Sequence, residues 1–168
     1  MKTKSDLTFA EIDQVLSYCP KSGIFKWKKH LGGRSPKCGE FAGTGHNAGY
    51  IQIGYKQKIY LAHRLAWLLT HQAWPSKRLD HINGNKKDNR ICNLRECTHS
   101  QNLLNRSKQI NNKTGYKNIF LEGRSKKYMV KINKNKKVYY VGKFAKLENA
   151  IKARDRAHKK ICGEFSKI

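Results

Sequence analysis

Apolar positions along this chain fall into short runs of two periodicities, parted by polar and glycine-rich stretches. Phe9, Ile12 and Leu16 recur at helical spacing behind Thr8 and Glu11, a capping-box pair that predicts a helix start. "PKSG" then turns the chain into residues 24–28, where Phe25 and Trp27 alternate with polar neighbours as on one face of a strand. Residues 32–49 are glycine-rich and predict loop. Residues 50–55 and 58–62 read as the two strands of a hairpin. "HRLAWLLTHQAW" follows, a helix with Leu65, Leu68 and Leu69 on one side, ending before Pro75. From Leu79 to Arg106 the order is strand, long polar loop, strand and capped helix. Thr98 and Gln101 form the second capping box, and Leu103 and Leu104 supply the apolar side.

Past residue 106 the pattern changes. "SKQINNKT" is polar and turn-rich and reads as a linker. Residues 116–121, 128–133 and 138–142 then alternate as three strands. A helix follows, with Leu147, Ala150, Ile151, Ala157 and Ile161 inward. One helix covers one face of such a sheet. The middle strand therefore turns Tyr128, Val130 and Ile132 inward, and leaves Met129, Lys131 and Asn133 on the wet face. The fold class is α+β, with domains at 1–106 and 114–168 joined by a linker at 107–113.

Charge narrows the partner. The 168 residues hold 36 Lys+Arg against 11 Asp+Glu, a net charge of +25. So large an excess on a short chain repels itself and points to a polyanion. Residues 1–106 carry 18 Lys+Arg and 7 Asp+Glu, a net +11; residues 107–168 carry 18 and 4, a net +14. Hydrophobic residues at 38% and aromatics at 10% are too many for a disordered basic tail. No apolar run reaches the roughly 18 residues of a membrane span, and neither a signal peptide nor membrane association is expected. Five cysteines with no C-x-x-C pair read as free thiols in a reducing compartment. Cys92 and Cys97, near His81 and His99, fit no common zinc spacing and are read as core residues.

The chemistry concentrates in one stretch, at Asp80, His81, Asn93, Asn102, Asn105 and Arg106. Carboxylate and carboxamide oxygens are hard ligands suited to Mg²⁺ or Mn²⁺. Histidine is the side chain most readily a general base near neutral pH. Asn102, Asn105 and Arg106 share a helical face at i, i+3 and i+4. Adjacent Asp80 and His81 would face opposite ways on a regular strand, so one site needs the backbone to depart from that geometry at His81. His63 stands at a helix start, where a phosphate contact and a structural role are both open.

"LDHINGNKKDNRICNLRECTHSQNLLNR" resembles the HNH nuclease motif of phage and intron homing endonucleases, and "GYIQIGYKQKIYLAHRLAWLL" resembles the segment preceding it there. The resemblance implies a ββα-metal site with one divalent ion, Mg²⁺ or Mn²⁺, and hydrolysis of a DNA phosphodiester. By position it implies His81 as general base, Asn93 as the residue bracing its loop, and Asp80 and Asn102 as metal ligands. Residues 115–165 resemble the Apetala-type DNA-binding domain of plant ethylene-response factors, through "GYKNI", "KKYMVKI", "VYYVGKF" and "ENAIKARDRAHKKICGEF". There the open sheet face enters the major groove, which implies Lys117, Lys131, Asn133 and Tyr140 as groove-facing. Phe120 and Val138 stand where plant members carry arginine, and Arg124 and Lys126 are left for phosphate. Arg64, Lys86, Lys87, Arg95, Asn105 and Arg106 are the DNA contacts expected on the nuclease side.

The expectation is thus a monomeric, Mg²⁺-dependent endonuclease acting on double-stranded DNA, nicking one strand at a time. Its setting would be the cytoplasm of a bacterial host, of the phage-encoded type. The rivals are a DNA-binding regulator that no longer cuts and an RNA-binding splicing helper.

Overall fold

A computed structural model describes residues 7–33, 36–105 and 112–163. The chain forms two compact units, Met1–Glu96 and Cys97–Ile168.

In the first unit, α1 (Phe9–Asp13) starts at the Thr8–Glu11 capping box, both halves of which are formed. It ends sooner than the helical stripe predicts. Leu16 opens β1 (Leu16–Cys19) and pairs with Trp27 of β2 (Ile24–Trp27). Val15 and Leu16 are consecutive and both buried. A helix carries successive side chains about 100° apart, so pairing with β2 wins over the local stripe. Phe25 and Trp27 point into the core as the alternation requires, while Ile24 and Lys26 stay exposed.

The glycine-rich stretch is loop except for β3 (Thr44–Gly45), which pairs with β4 (Ile51–Tyr55). β4 and β5 (Lys58–Leu61) form a hairpin whose two turn residues, Lys56 and Gln57, have φ of 48° and 60°. α2 (Ala62–His71) buries Leu65, Ala66 and Leu68 against Ile12, Val15, Leu16, Phe25, Trp27 and Ile53. Gln72 stops it in the left-handed conformation. β6 (Arg78–His81), a single 3₁₀ turn at Ile91–Asn93 and β7 (Leu94–Cys97) follow, β6 pairing with β7.

The second unit opens with α3 (His99–Leu104), started by a complete Thr98–Gln101 capping box. Leu104 packs with Ile132 and Cys162. That packing ties α3 to the second unit, so the division between units falls before the polar stretch expected as the linker; residues 106–111 lie outside the described residues. β8 (Ile119–Leu121), β9 (Tyr128–Lys134) and β10 (Lys137–Phe144) form an antiparallel sheet in the order β10-β9-β8. α4 (Leu147–Cys162) covers one face. Val130 and Ile132 are fully buried and Asn133 is exposed, as the alternation predicts. The fully covered stripe of α4 is Ala150, Arg154, His158 and Cys162. Leu147, Ile151, Ala157 and Ile161 flank it half-buried. Cys97 is buried, but Cys92 is exposed in the 3₁₀ turn, which corrects its reading as core.

Candidate active site

Asp80 and His81 close β6, and both are buried, at 6% and 4% exposure. The chain turns immediately, with Gly84 N–H donating to the His81 carbonyl at 2.8 Å. The strand thus ends at the residue where the sequence required it to, and both side chains are enclosed.

The loop beyond His81 is held by one buried amide. Asn93 Oδ1 accepts from Asn83 N–H at 2.9 Å, and its Nδ2 donates to the Asp88 carbonyl at 2.8 Å. Its own carbonyl accepts from Ile82 N–H at 2.8 Å. Asp88 in turn accepts from Asn83 Nδ2 at 2.7 Å and from Arg90 through Nε and Nη2 at 2.8 and 2.7 Å. These partners hold the Asp88 carboxyl down to about 2. From the other side Tyr18 Oη donates to the Asn89 carbonyl at 2.8 Å. Gly23, at φ +73°, lets the β1–β2 turn approach so closely that a Cβ there would lie 2.6 Å from Arg90 N.

The His81 ring sits among other rings. His63, the second residue of α2, meets it edge-on at 5.0 Å between centroids. Tyr50 lies 5.2 Å from His63 and 6.0 Å from His81. Lys86 reaches over Tyr50 at 4.7 Å and donates to the Ala48 carbonyl at 2.9 Å. Burial pushes the His81 imidazole below the usual histidine range, against the opposing pull of the Asn89 side chain and of the Asp80 and Asp88 carboxylates. It pushes His63 further, to about 3, with His81 and Arg64 adding to the effect. Both rings are therefore neutral at pH 7, the form able to accept a proton. Among the described residues His63 Nδ1 has no hydrogen-bond partner.

Asp80 is engaged by a residue that the sequence had reserved for DNA. Arg95, on β7, donates from Nε at 3.1 Å and Nη2 at 3.0 Å, both to Asp80 Oδ2. Arg95, expected as a DNA contact, is thus engaged within the fold. Asn105 is 5% exposed and caps the end of α3. Lys117 is half-buried, its Nζ donating to the Leu104 carbonyl. Arg64 packs over the Trp74 ring at 5.4 Å. Lys87, Arg124, Lys126, Asn133 and Tyr140 are exposed, and Lys131 is half-buried on the outer face of the sheet. Arg106 lies outside the described residues. Tyr50, Asp88 and Asn89 were not singled out from sequence. The spacing of "DNR" was a signal for Asp88; Tyr50 offered none.

No group of three or more His, Cys, Asp or Glu gathers among the described residues. An ion here would depend on few protein ligands and much water, which is how Mg²⁺ is usually held. Asp80, a buried carboxylate, fits such a hard cation by its donor chemistry. Asn102 is half-buried on α3 in the second unit, its N–H donating to the Thr98 carbonyl at 3.0 Å.

Residues 60–104 match the family model of HNH endonucleases. The matched segment runs from β5 through α3 and contains Asp80, His81, Asn93 and Asn102. No curated protein matches the chain. No solved structure matches it either. No described helix is long and apolar enough to cross a membrane.

Proposed function

We propose, from the HNH endonuclease match over residues 60–104, that this chain is a metal-dependent endonuclease of the homing type, hydrolysing one phosphodiester of duplex DNA at a time. The observation that carries the reading is His81: a neutral, buried imidazole at the end of β6, next to a carboxylate and followed by a loop that Asn93 braces.

In this reading His81 takes the proton from the attacking water. Burial lowers its proton affinity and favours the base form at neutral pH. Asn93 fixes the backbone that aims the ring, and the edge-on His63 and the Tyr50 ring limit the angles the imidazole can adopt. Arg95 holds the Asp80 carboxylate in one orientation. Asp80 supplies a hard oxygen for a divalent cation, Mg²⁺ or Mn²⁺, and Asn102 is the second ligand expected from sequence. A divalent cation held by Asp80 would supply positive charge to polarise the phosphate and stabilise the departing oxygen. The chain acts as a monomer on DNA, and the surplus of Lys and Arg supplies affinity for the duplex.

One observation favours a second reading, a DNA-binding regulator that does not cut. A guanidinium seated on Asp80 already neutralises the carboxylate a cation would need. Supercoiled plasmid separates the two. With Mg²⁺ the full chain converts it to open circle, EDTA stops the conversion, and His81→Ala slows it by a factor of about 10² or more. DNA binding without open circle, over a range of plasmids and with either Mg²⁺ or Mn²⁺, supports the regulator instead.

A further inference from the structure

The face of the β8–β9–β10 sheet turned away from α4 is unusual for a cationic protein. By register Phe120, Met129 and Lys143 lie side by side across it, then Lys131 beside Tyr140, then Asn133 beside Val138. Phe120 is 43% exposed, Val138 57% and Tyr140 58%. Lys143 is ion-paired to Glu122. Along the face Phe120, Met129 and Val138 are apolar and Asn133 is an amide, with the Lys131–Tyr140 pair between them. The cations crowd its two ends: Arg124, Lys126 and Lys127 are exposed in the β8–β9 turn, and Lys136 and Lys137 at the β9–β10 turn.

Cations at both ends, with apolar, amide, Tyr140 and Lys131 side chains between them, complement a DNA groove, whose walls are phosphates and whose floor is base edges. From Met129 to Asn133 the strand runs about 13 Å at about 3.3 Å per residue. The major groove is about 12 Å wide. Of the groups on its floor, only the thymine 5-methyl is apolar, and an asparagine amide pairs with adenine N6 and N7. Val138 and Asn133 are cross-strand partners, so their side chains are about 5 Å apart, a separation at which one reads the thymine and the other the adenine.

We propose that this face selects thymine: Phe120, Met129 and Val138 take up 5-methyl groups in the major groove, and Asn133 reads an adjacent adenine. The inference rests on the duplex-DNA reading above and adds to it a class of target sequence, rich in A·T pairs.

The test is equilibrium binding of the full chain, in EDTA, to alternating duplex polymers that differ by one methyl per pair. Poly(dA-dT) is expected to bind more tightly than poly(dA-dU), by about fourfold for each methyl covered. Poly(dG-m⁵dC) should gain over poly(dG-dC) in the same sense. The double substitution Phe120→Ser with Val138→Ser, at exposed positions, should lower poly(dA-dT) binding towards the poly(dA-dU) value and leave the latter unchanged. Equal affinity of the unsubstituted chain for poly(dA-dT) and poly(dA-dU) overturns the inference and leaves the endonuclease reading standing. Failure to bind any of the four duplexes, or tighter binding to poly(A)·poly(U) RNA, overturns both.

Discussion

Burial disfavours the protonated form of a histidine, and it does so in both units of this chain. His158 is fully buried on α4, and burial lowers its imidazole to about 4, with the nearby Lys117 and Arg154 charges adding to the shift. The unfolded chain, with the ordinary value of 6.5, binds the proton first as pH falls. Stability from this residue is therefore complete above pH 6.5 and is lost as pH drops towards 4. The loss is roughly 3 kcal/mol at most, at about 1.4 kcal/mol per unit. Urea midpoints measured from pH 7 to pH 4 should fall, and His158→Leu should flatten that slope; an unchanged slope would rule out His158 as its source. His63 acts in the same direction in the first unit. At this scale the sequence was legible in the loop after His81, which Asn93 braces as its position implied. It was not legible for Arg95, because an ion pair with Asp80 needs β6 beside β7, which neither residue encodes alone.

Elements were most legible where the signal is local. Both capping boxes, at Thr8 and Thr98, form with the partners their spacing required. The extension of α1 to Leu16 failed because strand pairing with Trp27 outweighs one turn of helical periodicity. The hairpin turns carry a cost of their own. Lys56 and Gln57 between β4 and β5, and Asn135 and Lys136 between β9 and β10, all have positive φ. Left-handed backbone costs a residue with a side chain about 1 kcal/mol, and two-residue hairpin turns favour glycine at the second position. Gln57 is exposed, whereas Lys56 pairs with Glu11 at 2.9 Å. Gln57→Gly should therefore raise stability by about 0.5–1 kcal/mol, seen as a higher urea midpoint with an unchanged m-value. A lower midpoint would mean that the turn tolerates its side chain without strain.

Over the whole molecule the governing quantity is charge. If the net +25 serves to neutralise phosphates, binding must weaken steeply with salt. Six phosphate contacts give a slope of log K against log salt near −5. Fluorescence anisotropy on a 30-base-pair duplex, across about 50 to 200 mM salt, should show a slope at least that steep. The exposed pair Lys136→Gln with Lys137→Gln should reduce its magnitude by about 2. A slope near −1 would mean that most of the charge is solvated surface.

The sequence by itself determined two helix starts, the alternation of β2 and β9, the imbalance of charge and the cluster of residues that resembles a nuclease motif. All of these depend on neighbours within a few positions, where backbone periodicity and capping act. Only the tertiary structure decided which polar side chains the fold keeps for itself. Arg95 is held by Asp80, Lys117 by the end of α3, and Asn105 by burial. It also decided that α3 packs with the second unit, and that His63 meets His81. Those outcomes join residues far apart in the chain, and packing, which acts between elements, sets them.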